Sequence, residues 1–322
     1  MRFKVVGVGE LLWDLLPYGA EVGGAPSNFA YHAHALGAQA QVISRVGSDR
    51  YGHEIIRRIK AMGLPAGGVQ VDESAPTGTV TVSLSGDGIP EYTIHENVAW
   101  DRIAVTPPAL ADVRTADAIC FGSLAQRSTI SRQSIQRLVG AAAADAWRVF
   151  DVNLRQGFYN REGIEHSLQM ANALKLNEEE LSVVAEMFQL PRNPRKQMES
   201  LANAFGLRVV VLTRGSGGSV ILQAGRWSEQ SAVAARVVDT VGAGDAFTSA
   251  LVLGLLHRDD LDAVHAFAAE VAGWICGCAG GTPALPKKLR DHFRDSRPAR
   301  QLAPQTVTLS KSDSFSLKLH PD

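Results

Sequence analysis

The last third of the chain holds its most chemically suggestive pattern, Asp239-Thr240-Val241-Gly242-Ala243-Gly244-Asp245. An apolar run suited to a helix follows, from Ala246 to Leu256. Small residues at a helix N-terminus let backbone N–H groups face an incoming anion, and the helix dipole adds positive potential there. A carboxylate at the same place, Asp245, is suited to take the proton from a hydroxyl that attacks a phosphoryl group. Spacing alone serves equally well for a plain helix cap.

Other segments carry residues of the same kind of chemistry. Gly23-Gly24-Ala25-Pro26-Ser27-Asn28 precedes a helical stretch. Its glycines allow close backbone approach to a ligand, and Asn28 offers donors and acceptors to a polyol. Read alone, this is also an ordinary glycine-rich loop with a capping Ser or Asn. Asp151-Val152-Asn153-Leu154-Arg155 follows a strand-like run, where open α/β sheets place their ligands. Arg155 is suited to grip a phosphate through paired donors, or to make a surface salt bridge. Glu178, Glu179 and Glu180 follow Asn177, as in a solvated helix start.

Taken together and in order, these segments resemble the ribokinase/PfkB family of carbohydrate kinases. The resemblance spans roughly residues 3–286. The segment Asp239–Asp245 matches the family's Asp-Thr-x-Gly-Ala-Gly-Asp without departure. It implies Asp245 as catalytic base and Gly242, Ala243 and Gly244 as an anion hole for a γ-phosphate. Gly24 and Asn28 match Gly-Gly-Ala-x-x-Asn and are implied to hold sugar hydroxyls, as is Asp14 at the end of Gly9–Asp14. Asn153 and Arg155 match Asp-x-Asn-x-Arg and are implied to touch sugar and phosphate. Asn177 and Glu180 match Asn-x-x-Glu, which organises Mg²⁺ through waters. Thr213, Gly215 and Gly218 match the nucleotide loop Thr-x-Gly-x-x-Gly. Gly280 opens a C-terminal element that departs from the family only by Gly281 in an Ala position. Asp239 is implied to help hold K⁺. The run Arg45-Val-Gly47-x-Asp49-x-x-Gly52 reads as structural, fixing a strand-to-helix turn.

These residues need a frame. Apolar β-branched runs at Val5–Val8, Gln41–Val46, Ala118–Phe121, Arg148–Asp151 and Val209–Thr213 alternate with helical stretches such as Asn28–Leu36 and Tyr51–Met62. Gly37 and Gly63 stop those two helices. That alternation predicts an α/β fold with a mostly parallel central sheet covered on both faces. From Thr77 to Leu84 the pattern changes to period two, with a turn at Gly86-Asp87-Gly88 and extended residues again at Glu91–His95. This is an antiparallel hairpin, and the resemblance makes it a small β-sheet lid in a ribokinase-like three-layer fold. The expected division is 1–10, 23–75 and 103–290 for the main domain, 11–22 and 76–102 for the lid, and 291–322 for a tail. Trp100 follows the hairpin and packs either on the sugar or between lid and body. A lid that pairs with a second lid would give a homodimer.

Composition narrows the class. The chain has 322 residues, 45% hydrophobic and 20% charged, with a formal net charge of -1. A balanced chain gives no prior for nucleic-acid partners. Three cysteines, Cys120, Cys276 and Cys278, form no Cys-x-x-Cys pair, which argues against a disulfide framework or zinc site. His32, His34, His53 and His95 have no metal-ligand spacing. The sequence shows no signal peptide and no apolar run long enough to span a membrane, so a cytoplasmic enzyme is expected. There is no P-loop, His-Glu-x-x-His or Gly-x-Ser-x-Gly. No Gly-x-Gly-x-x-Gly follows the first strand, which disfavours a dinucleotide oxidoreductase. The expectation is therefore an ATP- and Mg²⁺-dependent sugar kinase. Gly9–Pro17, Gly23–His32 and Ile94–Asp101 look most like bacterial fructokinases. The alternatives are a kinase of ribose, a nucleoside or ketodeoxygluconate, and a non-catalytic sugar-binding regulator.

Overall fold

The computed structural model describes residues 2–16, 19–84, 90–233 and 236–293. The turn at 86–88 and the tail segment 304–322 lie outside the described residues. In chain order the strands begin with β1 (Lys4–Val8), β2 (Leu12–Leu16), β3 (Gly19–Gly23), β4 (Gln39–Gly47) and β5 (Val69–Asp72). Then come β6 (Gly78–Leu84), β7 (Pro90–Ile94), β8 (Ala118–Phe121), β9 (Trp147–Asp151) and β10 (Ala173–Asn177). The last are β11 (Val209–Thr213), β12 (Ser219–Gln223) and β13 (Arg226–Gln230). Helices that matter to the site are α1 (Ala25–Ala35), α2 (Arg50–Ala61), α3 (Pro107–Arg114), α4 (Thr129–Gly140), α5 (Arg161–Met170), α6 (Glu178–Met187), α7 (Pro194–Phe205), α8 (Ala243–His257) and α9 (Leu261–Cys276).

Among the described residues, nine strands form one sheet in the order β13-β12-β11-β10-β9-β8-β1-β4-β5. From β11 through β5 every neighbouring pair is parallel. The edge pairs β11–β12 and β12–β13 are antiparallel. The parallel strands read as continuous apolar runs because helices cover both faces. Two buried clusters result. One gathers Phe29, Phe247, Leu251 and Val271 with one face of the sheet; the other gathers Phe121, Phe150, Leu138 and Leu174 with the opposite face. Helix α8 is buried almost all round between α1 and α9, which explains why its sequence lacks a polar face.

Strands β3-β2-β6-β7 form the second, smaller sheet. β6 and β7 are the antiparallel hairpin expected from the alternating segment, and β2 joins β6 in parallel. Asp14 lies in the middle of a small-sheet strand, paired with Glu21 on β3. The edge hairpin β12–β13 has no separate sequence signal strong enough to distinguish it from another crossover. Asp49 caps α2 and accepts the amide of Gly52 at 2.8 Å and that of Thr77 at 2.8 Å. It fastens the strand-to-helix turn to the base of the small sheet.

Trp100 is fully buried. Its ring lies under the Arg127 guanidinium, 3.9 Å from the ring centroid, and against Gly78 at the start of β6. A Cβ at Gly78 would collide with the indole. The reading of Trp100 as a sugar platform is thus corrected: no face of the ring is open, and it packs small sheet against body. Truncating a fully buried Trp typically costs about 3–5 kcal/mol. Trp100→Ala is expected to lower the urea midpoint accordingly, and an unchanged midpoint would contradict this role.

Candidate active site

Asn153, Arg155, Asn177, Glu180 and Thr213 lie at the carboxyl ends of the parallel strands β9, β10 and β11. Asp245 occupies the first turn of α8. Gly242 is the N-cap, with φ of 77°, and a Cβ there would run into the backbone of Gly281. Position and conformation together admit only glycine. No side chain caps this helix, so the amides of Gly244 and Asp245 lack an acceptor within it and are available to an anion. Asp245 is a residue inside the helix and makes no capping bond, so the plain-cap alternative does not describe it.

The Asp245 carboxylate accepts a hydrogen bond from the Asn28 amide at 2.9 Å. Its pKa is pushed up to about 7, first by burial and then by the negative charge of Asp151. The Asn28 bond and the positive charges of Lys175 and Arg155 oppose the rise. A carboxylate tuned near neutrality is poised for proton transfer at physiological pH.

Asn28, Gly24 and Asp14 belong to α1 and the small sheet beside it. Asn28 is buried on α1, and among the described residues its Oδ1 has no partner; it is a ready acceptor for a ligand hydroxyl. Gly24 is the N-cap of α1 with φ of 111°, and a Cβ there would strike the Glu10 carbonyl. Gly23 leaves space that the Asp14 carboxylate fills. Burial pushes the Asp14 pKa up to about 6, and the charge of Glu21 directly opposite on β3 adds to the rise; Arg155 lowers it. Arg155 is exposed and bonds the Leu154 carbonyl at 2.9 Å, and its charge reaches Asp14, Glu10 and Asp245. Asn153 holds the preceding bend with φ of 45°.

The remaining predicted residues line the next strands. Asn177 and Thr213 are register neighbours at the ends of β10 and β11. Asn177 and Glu180 form a reciprocal capping box on α6. Glu180 also accepts the Leu154 amide at 3.0 Å, tying this helix to the Arg155 loop. Gly215 and Gly218 both take positive φ in a tight turn after β11. Gly280 donates its amide to Asp239 at 3.1 Å, so Asp239 joins the two C-terminal loops.

Two charged residues stand here beyond those singled out in the sequence. Lys175 is buried on β10 and pairs with Asp151 at 3.0 Å. Burial alone would lower its pKa, but Asp151, Glu180 and Asp245 outweigh burial and raise it. Thr248 on α8 donates to the other Asp151 oxygen at 3.1 Å, and the Lys175 ammonium abuts Gly244. A fixed cation thus stands directly beneath the glycine loop. The available signal was a lysine inside an apolar strand, which demands a carboxylate partner. Glu10 is also buried, with Oε1 on the Ala25 amide and Oε2 unpartnered.

A profile of the pfkB family carbohydrate kinases matches residues 18–288. This chain belongs to that family. The kinase is 29% identical over 266 residues to a fructokinase of Escherichia coli, covering 79% of this chain and 85% of that one. It superposes on a Pyrococcus horikoshii sugar kinase solved in complex with ATP with a TM-score of 0.74 and 25% identity, covering 90% of this chain and 97% of that one. A Xylella fastidiosa fructokinase with bound ATP shares the fold with a TM-score of 0.79 at 20% identity, covering 89% and 96%. The ribokinase-like architecture and the family read from the ordered motifs are thereby borne out.

The Asp245 pKa of about 7 lies above its value of 3.8 outside the fold. The folded kinase therefore holds this proton more tightly than the unfolded chain. The resulting stabilisation is full below pH 4 and is lost as pH rises through 7. Asp245→Asn cannot ionise, so its melting temperature relative to wild type is expected to be higher at pH 8 than at pH 5. Parallel melting curves over this range would contradict the assignment.

Proposed function

We propose that the kinase transfers the γ-phosphate of ATP to a primary hydroxyl of a monosaccharide, with fructose as the favoured acceptor. One observation carries the reading: Asp245 joins the uncapped start of α8 to Asn28, whose free oxygen faces the sugar side. The sugar is held by Asp14, Gly24 and Asn28, and its reacting hydroxyl points at Asp245. Such a hydroxyl is too weak an acid to ionise beforehand, so Asp245 takes the proton as the bond to phosphorus forms. The amides after Gly242, together with Arg155 and Lys175, offset charge on the moving phosphoryl group. Thr213, Gly215, Gly218 and Gly280 border the nucleotide, and the exposed Val238 and Val241 give its base an apolar surface. Fructose is favoured by the N-terminal motifs and by the fructokinase relatives.

Glu180 fits a hydrated Mg²⁺. Each of its oxygens accepts one backbone amide, from Leu154 and Asn177, and keeps a lone pair for a metal-bound water. No cluster of three ligating side chains occurs among the described residues, in keeping with an ion held mainly by phosphates and water. When bound, Mg²⁺ would neutralise charge on the ATP phosphates. K⁺ would lie at Asp239 and neighbouring carbonyls. A cytoplasmic homodimer joined through the small sheets belongs to the same proposal.

Loss of a general base typically costs about two to four orders of magnitude. Asp245→Ala is expected to lower turnover about a hundredfold or more while sugar binding is largely kept. Near-normal turnover would overturn the mechanism. A coupled ADP-release assay across fructose, ribose, adenosine and ketodeoxygluconate tests the acceptor, and fructose is expected to give the highest kcat/KM. Repeating it after exchange of K⁺ for Na⁺ tests the monovalent ion, with slower turnover expected in Na⁺.

A further inference from the structure

A cavity of about 480 Å³ lies beside the proposed catalytic cleft. The segment 153–160 contributes to both: the charge of Arg155 acts on Asp245, while Phe158, Tyr159 and Asn160 line the cavity. None of the residues assigned above to sugar, nucleotide or metal lines it. Its walls carry three guanidinium groups, from Arg102, Arg127 and Arg132. Only Arg127 pairs with a carboxylate, Asp101, through bonds of 2.8 and 2.9 Å. Among the described residues Arg102 and Arg132 make no ion pair; they bond the hydroxyls of Ser74 and Thr129. Glu96 is the other carboxylate of the wall. The starts of α4 and α5 also open here, and Ser128 makes no side-chain capping bond on α4. Helix N-termini add positive potential.

Arg127 supplies an independent sign of an unfilled role. Its side chain is 6% exposed, and among the described residues its Nη1 has no hydrogen-bond partner. A buried N–H group left without an acceptor is costly. Its Nη2 bonds the His95 carbonyl just beyond β7, so this wall is tied to the small sheet. Excess guanidinium charge, two helix starts and half-buried rings of Phe158 and Tyr159 suit an acid group attached to a small organic body.

We infer that this cavity, ringed by Arg102, Arg127 and Arg132, binds the phosphate or carboxylate group of a small acidic metabolite. That group belongs either to the phosphoryl acceptor or to a separate molecule; the chemistry of the walls is common to both. The site stands whether or not fructose is the acceptor.

The test is calorimetric titration of the full chain with inorganic phosphate and, separately, malonate. A non-hydrolysable ATP analogue is kept saturating so that the glycine loop is occupied. Saturable binding is expected, weakened about tenfold or more in both Arg132→Ala and Arg102→Ala, with turnover of a neutral sugar unchanged. Thermal melts confirm that both variants fold. Acceptor kinetics then locate the group. If carboxylated or phosphorylated sugars lose about tenfold or more in kcat/KM in Arg132→Ala, and phosphate competes with them, it belongs to the acceptor. If no acceptor is affected while phosphate binding is lost, it belongs to a separate molecule. Absence of saturable binding by either probe, or equal binding by wild type and both variants, overturns the inference.

Discussion

The proposed chemistry depends on keeping one carboxylate out of water without neutralising it. Asp245 meets this constraint by contact with opposing groups. Burial and then Asp151 raise its proton affinity, while Asn28, Lys175 and Arg155 lower it. Lys175 can remain charged in the interior because Asp151 pairs with it and Thr248 satisfies the second Asp151 oxygen. Removing either member of a buried pair leaves the other uncompensated, which is far costlier than the pair's net worth. The pair therefore acts mainly as a fixed electrostatic setting for Asp245 and for the glycine loop above it.

The same setting explains the arrangement of helices. α8 carries Asp245 and Thr248 one turn apart, so one helix face meets both the Asn28 side and the Asp151 side. α1 carries Asn28 and, one turn later, His32, whose ring nitrogen lies 2.9 Å from the Gly281 carbonyl. The close packing of α1 and α8 is required for these bonds, and Ser249 reinforces it by donating to the Phe29 carbonyl at 2.9 Å. The apolar character of α8 is thus a condition for placing its polar first turn.

Much of this was legible in the sequence because the motifs are local. Asp239–Asp245 encodes a glycine-only turn and the start of an apolar helix within a few residues. Asp49 and Gly52 encode a strand-to-helix turn in the same way. The alternating segment after Thr77 revealed a hairpin, since period two is a property of neighbours. What depends on distant pairing was hidden. The charge that faces Asp14 could not be read from its own motif, because its partners, Glu21 and Val80, come from β3 and β6. Trp100 remained undecided because only the meeting of Gly78 and Arg127 on its two sides shows it to be packing. Lys175 was visible as a residue, but its partnership with Asp151 spans the β9–β10 pair.

Gly281 shows how a departure from a family pattern acquires physical meaning only in the fold. A Cβ at this position would lie 3.1 Å from the Asn28 amide nitrogen and 3.3 Å from a Val241 methyl. Its carbonyl is held by His32, and its backbone fills the space a side chain at Gly242 would need. Glycine here lets the C-terminal loop lie directly against both the Asn28 amide and the turn that opens α8. An alanine would have to displace Asn28 or Val241 by a few tenths of an ångström. Asn28 is the residue less free to move, because its amide is committed to Asp245 at 2.9 Å. The distance between the C-terminal loop and α1 is therefore set by the same hydrogen bond that holds Asp245 in place.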